Sequence, residues 1–291
     1  MGNGIAHVFA QNGHSVHLVD VHESVLDKAR STIDKNLSRM VRKEKITGEQ
    51  HQQTLDRLHF ETDLEAAAGQ STLIVEAVSE KIELKEELFR KLDAAAPQEA
   101  ILASNTSSIS ITRLAAATSR ADQVIGMHFM NPVPVMQLVE VIRGFATSDA
   151  VADRIVQLSR DLGKTPVLAN DYPGFVSNRI LMPMINEAIY TLHEGVAGVE
   201  EIDTVMMLGM SHPMGPLHLA DFIGLDVCHS ILNVLYEGFG HTKYAPCPLL
   251  TNMVTAGQLG VKSGAGFYDY SQGVKEKAVA AAFRRSASAM A

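Results

Sequence analysis

The apolar and polar positions of the chain switch repeatedly between two periods, and these switches predict strands that alternate with helices. Residues 15–20, SVHLVD, form a short β-branched run that an acid closes. From Glu23 or Ser24 to Lys43, apolar residues recur at helical spacing and form one stripe. Residues 81–94 show the same spacing. The pattern therefore predicts a strand, a long amphipathic helix and, further along, another helix.

Further short apolar runs indicate strands that are covered on both faces. They lie at residues 58–61, 71–77, 100–103, 124–129, 137–142 and 165–169. Strands that alternate with helices favour a parallel sheet with helices on both sides. The first part of the chain is therefore predicted to be a doubly wound α/β domain.

The pattern changes near Asp171. The segment Asp171-Tyr172-Pro173-Gly174 carries turn residues, and we predict a domain boundary there, between residues 1–171 and 172–291. Beyond it, helical patterns dominate. They lie at residues 175–194, 199–208 and 217–235. The segment after Tyr270 is rich in Ala, Lys and Arg and predicts a loosely held helix.

Composition narrows the function classes. The chain has 25 Lys and Arg against 33 Asp and Glu, a net charge of −8, which argues against a nucleic-acid binder. No apolar run approaches the ~20 residues of a membrane-spanning helix, and no secretory signal opens the sequence. Cys228 and Cys247 alone form neither a disulfide scaffold nor a zinc site. We therefore expect a cytoplasmic protein without metal, membrane or nucleic-acid partners.

Asp20 suggests dinucleotide binding. It closes the first predicted strand, where an acid accepts hydrogen bonds from the adenosine ribose. Because a carboxylate repels a 2′-phosphate, it favours NAD over NADP. On this residue alone, a helix-capping or solvated acid is the preferred interpretation, so the hypothesis depends on further motifs.

Gly2 stands where the third glycine of a G-x-G-x-x-G fingerprint would open a helix. Neither a first strand nor a G-x-G comes before it, so the sequence looks as though it begins inside the motif. In the 3-2-1-4-5-6 order of a doubly wound sheet, the first strand lies between the strands at residues 15–20 and 71–77. We therefore expect either a gap between these two strands or their direct pairing.

Several motifs in order carry a resemblance to a known family. They are VEAVSE (75–80), SNTSS (104–108), HFMNPVPVMQLVEV (128–141), PGFVSNRI (173–180), HPMGPLHLADFIGLD (212–226) and KSGAGFYDY (262–270). From Gly2 to about Tyr270 the chain resembles the L-3-hydroxyacyl-CoA dehydrogenase family, particularly its short-chain 3-hydroxybutyryl-CoA members. The resemblance implies a Rossmann-type NAD-binding domain and an all-helical, dimerising domain. It also implies a homodimer that reversibly oxidises (S)-3-hydroxyacyl-CoA with NAD, in fatty-acid or butanoate metabolism.

The same resemblance implies roles for particular residues. His128 is the general acid/base, and Glu140 orients it. Ser107 and Asn178 contact the substrate near the reacting oxygen. The residues implied to line the cofactor and active-site cleft are Gly2, Glu80, Lys85, Asn105, Asn131 and Lys262, together with Ser107. Lys43 is implied to help hold the CoA moiety.

The oxidation of an alcohol requires, independently of the resemblance, a pair of groups such as His128 and Glu140. Oxidation of an alcohol needs a group that accepts the hydroxyl proton near neutral pH, and a carboxylate behind the ring stabilises the resulting cation. A hairpin that turns around Pro134 places His128 opposite Glu140, because both are equally far from it. A buried Glu inside LVEVI also needs a partner. A purely structural His–Glu pair is the alternative.

Other features leave alternatives open. The SNTSS segment is either a ligand-binding loop at a strand's carboxyl end or a turn with a helix cap. The Lys28, Lys35, Arg39 and Arg42 face binds CoA phosphates or is simply solvated. The rival functions are a dehydrogenase of free hydroxy or sugar acids, and a catalytically impaired structural dimer with an incomplete nucleotide loop.

Overall fold

The computed structural model describes residues 1–284, which form two compact units. The first unit ends at Tyr172 and the second begins at Pro173. The sequence-based boundary, between residues 171 and 172, differs from this division by one residue.

The first unit alternates helices and strands as predicted. Its helices are α1 (Gly2–Gln11), α2 (Glu23–Arg42), α3 (Gly48–Asp56), α4 (Leu64–Gly69), α5 (Ile82–Ala95), α6 (Ile111–Ala115) and α7 (Asp149–Asp161). Its strands are β1 (Val16–Val19), β2 (Leu58–Glu61), β3 (Leu73–Glu76), β4 (Ile101–Ser104), β5 (Val124–Phe129), β6 (Leu138–Arg143) and β7 (Thr165–Asn170). The sequence pattern missed α3, although Thr47 and Gln50 form a capping box at its start.

The strands form a mixed sheet in the order β3-β4-β5-β6-β7 and a separate pair, β1-β2. All neighbouring strands run parallel except β5 and β6, which are antiparallel. Apolar side chains of α1 and α7 pack against one face of the larger sheet. Phe89 of α5 and Ile111 of α6 are fully buried, and Ile111 lies over β5 near Gly126. Helices on both faces confirm the doubly wound fold.

The expected gap is present between β1 and β3. The two strands do not pair, and a cavity of about 1310 Å³ lies between them, here called the central cleft. Residues 16–21, residues 71–79 and Gly2 are among those that line it. Each of the two strands therefore has a neighbour on only one side.

The second unit is helical with a small hairpin. Its elements are α8 (Ser177–His193), α9 (Val199–Thr204), α10 (Pro216–Ile223), α11 (Leu225–Phe239), α12 (Pro248–Thr255), β8 (Tyr268–Asp269) and β9 (Ala278–Val279). A π-helical turn, Val205–Gly209, continues α9. The prediction of an all-helical domain therefore needs one correction, because β8 and β9 pair.

Two further predictions for this unit were wrong. The single helix expected at residues 217–235 is broken into α10 and α11 at Gly224, whose φ of 104° is a conformation that glycine adopts without strain. Residues 271–284 form β9 and short 3₁₀ turns instead of a loosely held helix. The rest of that predicted tail helix lies outside the described residues.

Buried carboxylates tie the α10 region to the hairpin. Asp221 is 1% exposed and accepts hydrogen bonds from the amides of Phe267 and Tyr268 and from the Tyr270 hydroxyl. Burial raises the pKa of Asp221 to about 6, although these donors oppose the shift. A Cβ at Gly266 would lie 2.0 Å from Asp221 Oδ1, so only glycine fits there. The HPMGPLHLADFIGLD and KSGAGFYDY motifs therefore interlock through this carboxylate.

Within residues 1–284, no single helix is long and apolar enough to cross a membrane. Helices α10 and α11 together would meet the length and composition, but they are bent by 97°.

Candidate active site

His128 and Glu140 occupy opposite positions of the β5–β6 hairpin, as the symmetric spacing predicts. His128 Nδ1 lies 2.8 Å from Glu140 Oε2, and the two residues are 8% and 2% exposed. The residues between the strands include Pro134, about which the predicted turn was centred. The sequence-based register is therefore confirmed.

The hydrogen bond between these side chains defines the state of the imidazole. With Glu140 ionised, its carboxylate can only accept, so Nδ1 carries the hydrogen and donates a hydrogen bond to Glu140. In the neutral ring Nε2 then holds the lone pair. When Nε2 takes up a proton, the buried carboxylate of Glu140 balances the positive charge. The pair can therefore accept and return one proton at Nε2.

The SNTSS segment forms a loop at the carboxyl end of β4 that closes around Glu80. We call residues 104–108 the serine loop. Glu80 Oε1 accepts hydrogen bonds from the amides of Ser107 and Ser108, at 2.9 and 3.2 Å, and from the Thr106 hydroxyl at 2.5 Å. The hydroxyls of both serines also lie within 3.3 Å of this oxygen. The Glu80 carboxylate therefore accepts hydrogen bonds from both backbone amides and hydroxyls of the loop.

Asn105 connects the serine loop to the histidine strand. Its Oδ1 accepts a hydrogen bond of 2.9 Å from the amide of Phe129, the residue after His128. The structure therefore joins the predicted residues Glu80, Ser107 and Asn105 to the strand of His128 by continuous contacts.

Lys85, predicted to line the cofactor cleft, has a buried side chain that is 1% exposed. Its ammonium donates to both carboxylate oxygens of Glu76, at 2.8 and 2.9 Å, and lies 3.1 Å from Glu80 Oε2. Burial opposes ionisation of Glu80, but the Lys85 charge and the bonds from Thr106 and Ser107 outweigh it and lower the Glu80 pKa below its usual value. Lys85 and these two donors therefore keep Glu80 anionic, so that it acts as a hydrogen-bond acceptor.

The residues at the start of the chain fit one part of a dinucleotide. Helix α1 has no side-chain cap and no acidic residue in its first turn, so its terminal amides suit a phosphate. Gly4 packs so closely that a Cβ would lie 3.1 Å from Val133 Cβ. Asp20 directly follows β1 and lines the central cleft, and its Oδ1 accepts a hydrogen bond of 3.0 Å from the amide of His22. Gly2 and Asp20 therefore both line the central cleft.

The remaining predicted residues of the first unit are on the surface. Asn131 is exposed in the β5–β6 connection, and Lys43 is exposed just beyond α2. Because α2 has 20 residues, it is about 30 Å long, and Lys43 lies at its far end from Asp20. The structure does not bring Lys43 to the other predicted residues of this unit. The basic face of Lys28, Lys35, Arg39 and Arg42 is exposed along the same helix.

Two predicted residues belong to the second unit. Asn178 is 8% exposed in the first turn of α8. Lys262 is exposed and forms an ion pair with Asp226, which lies in the first turn of α11.

Sequence reasoning missed two residues that support the site. Glu76 lies inside the apolar run of β3, and a buried acid in such a run requires partners, as at Glu140. Lys164 donates to the carbonyls of Val133 and Met136, at 2.6 and 2.8 Å, and so braces the β5–β6 connection. Nothing in the local pattern around Lys164 indicates this role. Among the residues that the structure describes, no group of three His, Cys, Asp or Glu could hold a metal ion.

Comparisons with known proteins find relatives that match most of the chain. The family model for the 3-hydroxyacyl-CoA dehydrogenase NAD-binding domain matches residues 1–172, and the model for the C-terminal domain matches residues 174–270. A 3-hydroxybutyryl-CoA dehydrogenase from Bradyrhizobium diazoefficiens is 54% identical over 270 residues, covering 93% of this chain and 92% of its own. The human mitochondrial hydroxyacyl-coenzyme A dehydrogenase is 42% identical, covering 93% and 88%.

A solved structure is similar throughout. The crystal structure of an (S)-3-hydroxybutyryl-CoA dehydrogenase from Ralstonia eutropha has a TM-score of 0.91 and 48% identity. The match covers 93% of this chain and 95% of that one.

Proposed function

Because the chain belongs to the 3-hydroxyacyl-CoA dehydrogenase family, we propose that it oxidises (S)-3-hydroxybutyryl-CoA reversibly to the 3-oxoacyl-CoA with NAD. The observation that carries the proposal is the His128–Glu140 pair beside the serine loop. The names of relatives at 54% and 48% identity support the same substrate.

In the oxidation, His128 Nε2 accepts the proton of the substrate's 3-hydroxyl group. Glu140 keeps the ring oriented and stabilises the imidazolium that forms. NAD, when bound, accepts the electron pair and hydrogen of the C3–H bond. In the reverse direction the imidazolium returns its proton to the 3-oxo oxygen, so one residue serves both directions.

The other predicted residues complete the proposed site. Ser107 presents its hydroxyl to the reacting oxygen, with its position fixed by Glu80. For Asn178 and Lys262 we propose the roles that the family resemblance implies, which are contact with the substrate and with the cofactor. Lys43 holds the CoA phosphates, for which its exposed ammonium is available.

The substrate assignment is tested by comparing acetoacetyl-CoA with free acetoacetate in the reductive direction, following loss of NADH absorbance. Reduction of the thioester alone supports the proposal. Preference for a free acid would favour the related sugar-acid dehydrogenase activity. Absence of both activities, together with no change in NADH fluorescence on titration, would favour a structural protein.

Asp20 is expected to enforce the preference for NAD. In the Asp20→Ser variant, NADH affinity should fall and the gap between NADH and NADPH should narrow, because ribose hydrogen bonds and repulsion of the 2′-phosphate are both lost. Titration of NADH and NADPH fluorescence measures both constants. Asp27→Ser, an exposed acid one turn into α2, is the control and should leave the gap unchanged. Equal affinities for both nucleotides in the parent protein would contradict the assignment.

We also propose that the protein is a homodimer that forms through its second unit. This unit exposes large apolar side chains, including Ile180 at 68%, Leu208 at 81% and Phe222 at 61%. Exposed apolar side chains that form a contiguous patch mark protein–protein contacts. Sedimentation equilibrium measures the mass directly, and a monomer at micromolar concentration would exclude the dimer.

The proposed compartment is the cytoplasm. Cys228 and Cys247 are both free and buried, which suits a reducing environment.

A further inference from the structure

We propose that Glu76 is a positioning residue for the reaction: it holds the serine loop, through Lys85 and Glu80, in the conformation that presents Ser107 and Asn105. This inference rests on the proposed function for its catalytic consequence. Its structural content, an ordered serine loop that depends on Glu76, is testable without turnover.

Glu76 contacts the loop and its supports at several atoms. Its Oε2 accepts a hydrogen bond of 2.6 Å from the Ser104 hydroxyl, and its carbonyl accepts one of 2.8 Å from the amide of Asn105. Its Oε1 accepts from the amide of Val78 at 2.6 Å. Both oxygens accept from Lys85 Nζ. The carboxylate therefore ties together the ends of β3 and β4 and the start of α5.

The charges make this arrangement depend on all its members. Two carboxylates, Glu76 and Glu80, share the one ammonium of Lys85. The Glu76 and Lys85 side chains are 0% and 1% exposed, so neither charge has water as a substitute partner. Glu80 is 37% exposed and faces the loop. Glu76 thus fixes the ammonium in place, and the ammonium in turn fixes the carboxylate around which the loop closes.

The contacts continue from the loop to the catalytic strand. The Ser104 hydroxyl accepts from the amide of Thr106 at 3.2 Å, and Asn105 binds the amide of Phe129. Loss of the Glu76 carboxylate would therefore loosen the loop at the point where it touches the strand of His128. Misplacement of about 1 Å at a reacting group can lower a rate by about 100-fold.

The test compares Glu76→Gln with Asp93→Asn in the full chain. Asp93 forms a partly buried ion pair with Arg120 in the same unit, at 2.7 Å, but touches no part of the serine loop. Both variants lose one carboxylate from an ion pair with a buried cation. We expect Glu76→Gln to lower kcat by about 10- to 100-fold with little change in the KM for acetoacetyl-CoA, and Asp93→Asn to retain parental kcat.

Hydrogen exchange supplies the second readout. Amides of Ser107 and Ser108 donate to Glu80, so their exchange should accelerate at least about tenfold in Glu76→Gln and not in Asp93→Asn. Unchanged exchange at both amides would overturn the proposal, whether or not the parent protein is active. An inactive parent with faster exchange in the variant would refute the proposed function and leave the positioning role supported.

A double variant separates positioning from folding. Glu76→Gln with Lys85→Met removes both buried charges and should recover much of the thermal stability lost in Glu76→Gln. It should not recover kcat, because Glu80 then lacks its ammonium. Recovery of kcat in step with stability would show that Glu76 serves folding alone, and would overturn the proposal.

Discussion

Replacement of His128 by Ala is expected to lower kcat for acetoacetyl-CoA reduction by about 10²- to 10⁴-fold, the usual loss when a general acid/base is removed. Glu140 holds the imidazole at Nδ1, so the substitution removes Nε2, the proposed proton acceptor. NADH affinity should change little, because the proposed ribose and phosphate contacts lie at Asp20 and α1. Steady-state kinetics and NADH titration on the same preparation separate the two effects.

His51 offers a matched control for this variant. Its Nε2 lies 2.8 Å from Asp34 Oδ1, so it is also a carboxylate-paired histidine of the first unit, but it joins α2 to α3. His51→Ala should retain parental kcat. Near-normal turnover by a folded His128→Ala protein would remove this residue from the mechanism.

The register of the catalytic pair was predictable because simple constraints coincide in the β5–β6 segment. A buried Glu required a partner, the prolines required a turn, and the equal spacing on either side of Pro134 left one histidine opposite. The serine loop was found by its family motif alone. Its closure around Glu80 depends on hydrogen bonds between residues 27 positions apart, which no local pattern reveals.

Features that depend on tertiary contacts were missed or wrong. The break at Gly224 interrupts an apolar pattern that continues without change through α10 and α11, because both helices bury their apolar sides in the same core. Glu76 was open to the argument applied to Glu140, but its partner Lys85 lies on a helix, where strand register gives no guidance. Lys164 reaches backbone carbonyls, which any sequence offers.

The backbone groups of β1 and β3 that face the central cleft show how the two sheets could be joined. Val16 and Asp20 donate their amides towards β2, so those of His17 and Val19 face the cleft. On β3, the carbonyls of residues 72 and 76 accept from the β4 side, so residues 73 and 75 face the cleft from the opposite side. A two-stranded pair such as β1-β2 is marginal alone. One extended segment parallel to both strands would therefore pair with each and join the two sheets.

A polypeptide that carries an added strand and a G-x-G-x loop ahead of residues 1–291 is accordingly expected to have a higher thermal midpoint than residues 1–291 alone, by on the order of 10 °C. The reason is that several net hydrogen bonds of about 1 kcal/mol each are gained. NADH affinity should rise at least about tenfold, because a continuous sheet fixes Asp20 relative to the amides at the start of α1. An extension of equal length with proline at alternate positions cannot donate to both neighbours and serves as the control. Calorimetry, NADH titration and amide exchange at His17 and Val19 measure the outcome. Equal shifts in midpoint for both extensions would show that the gain comes from added apolar surface and not from completion of the sheet.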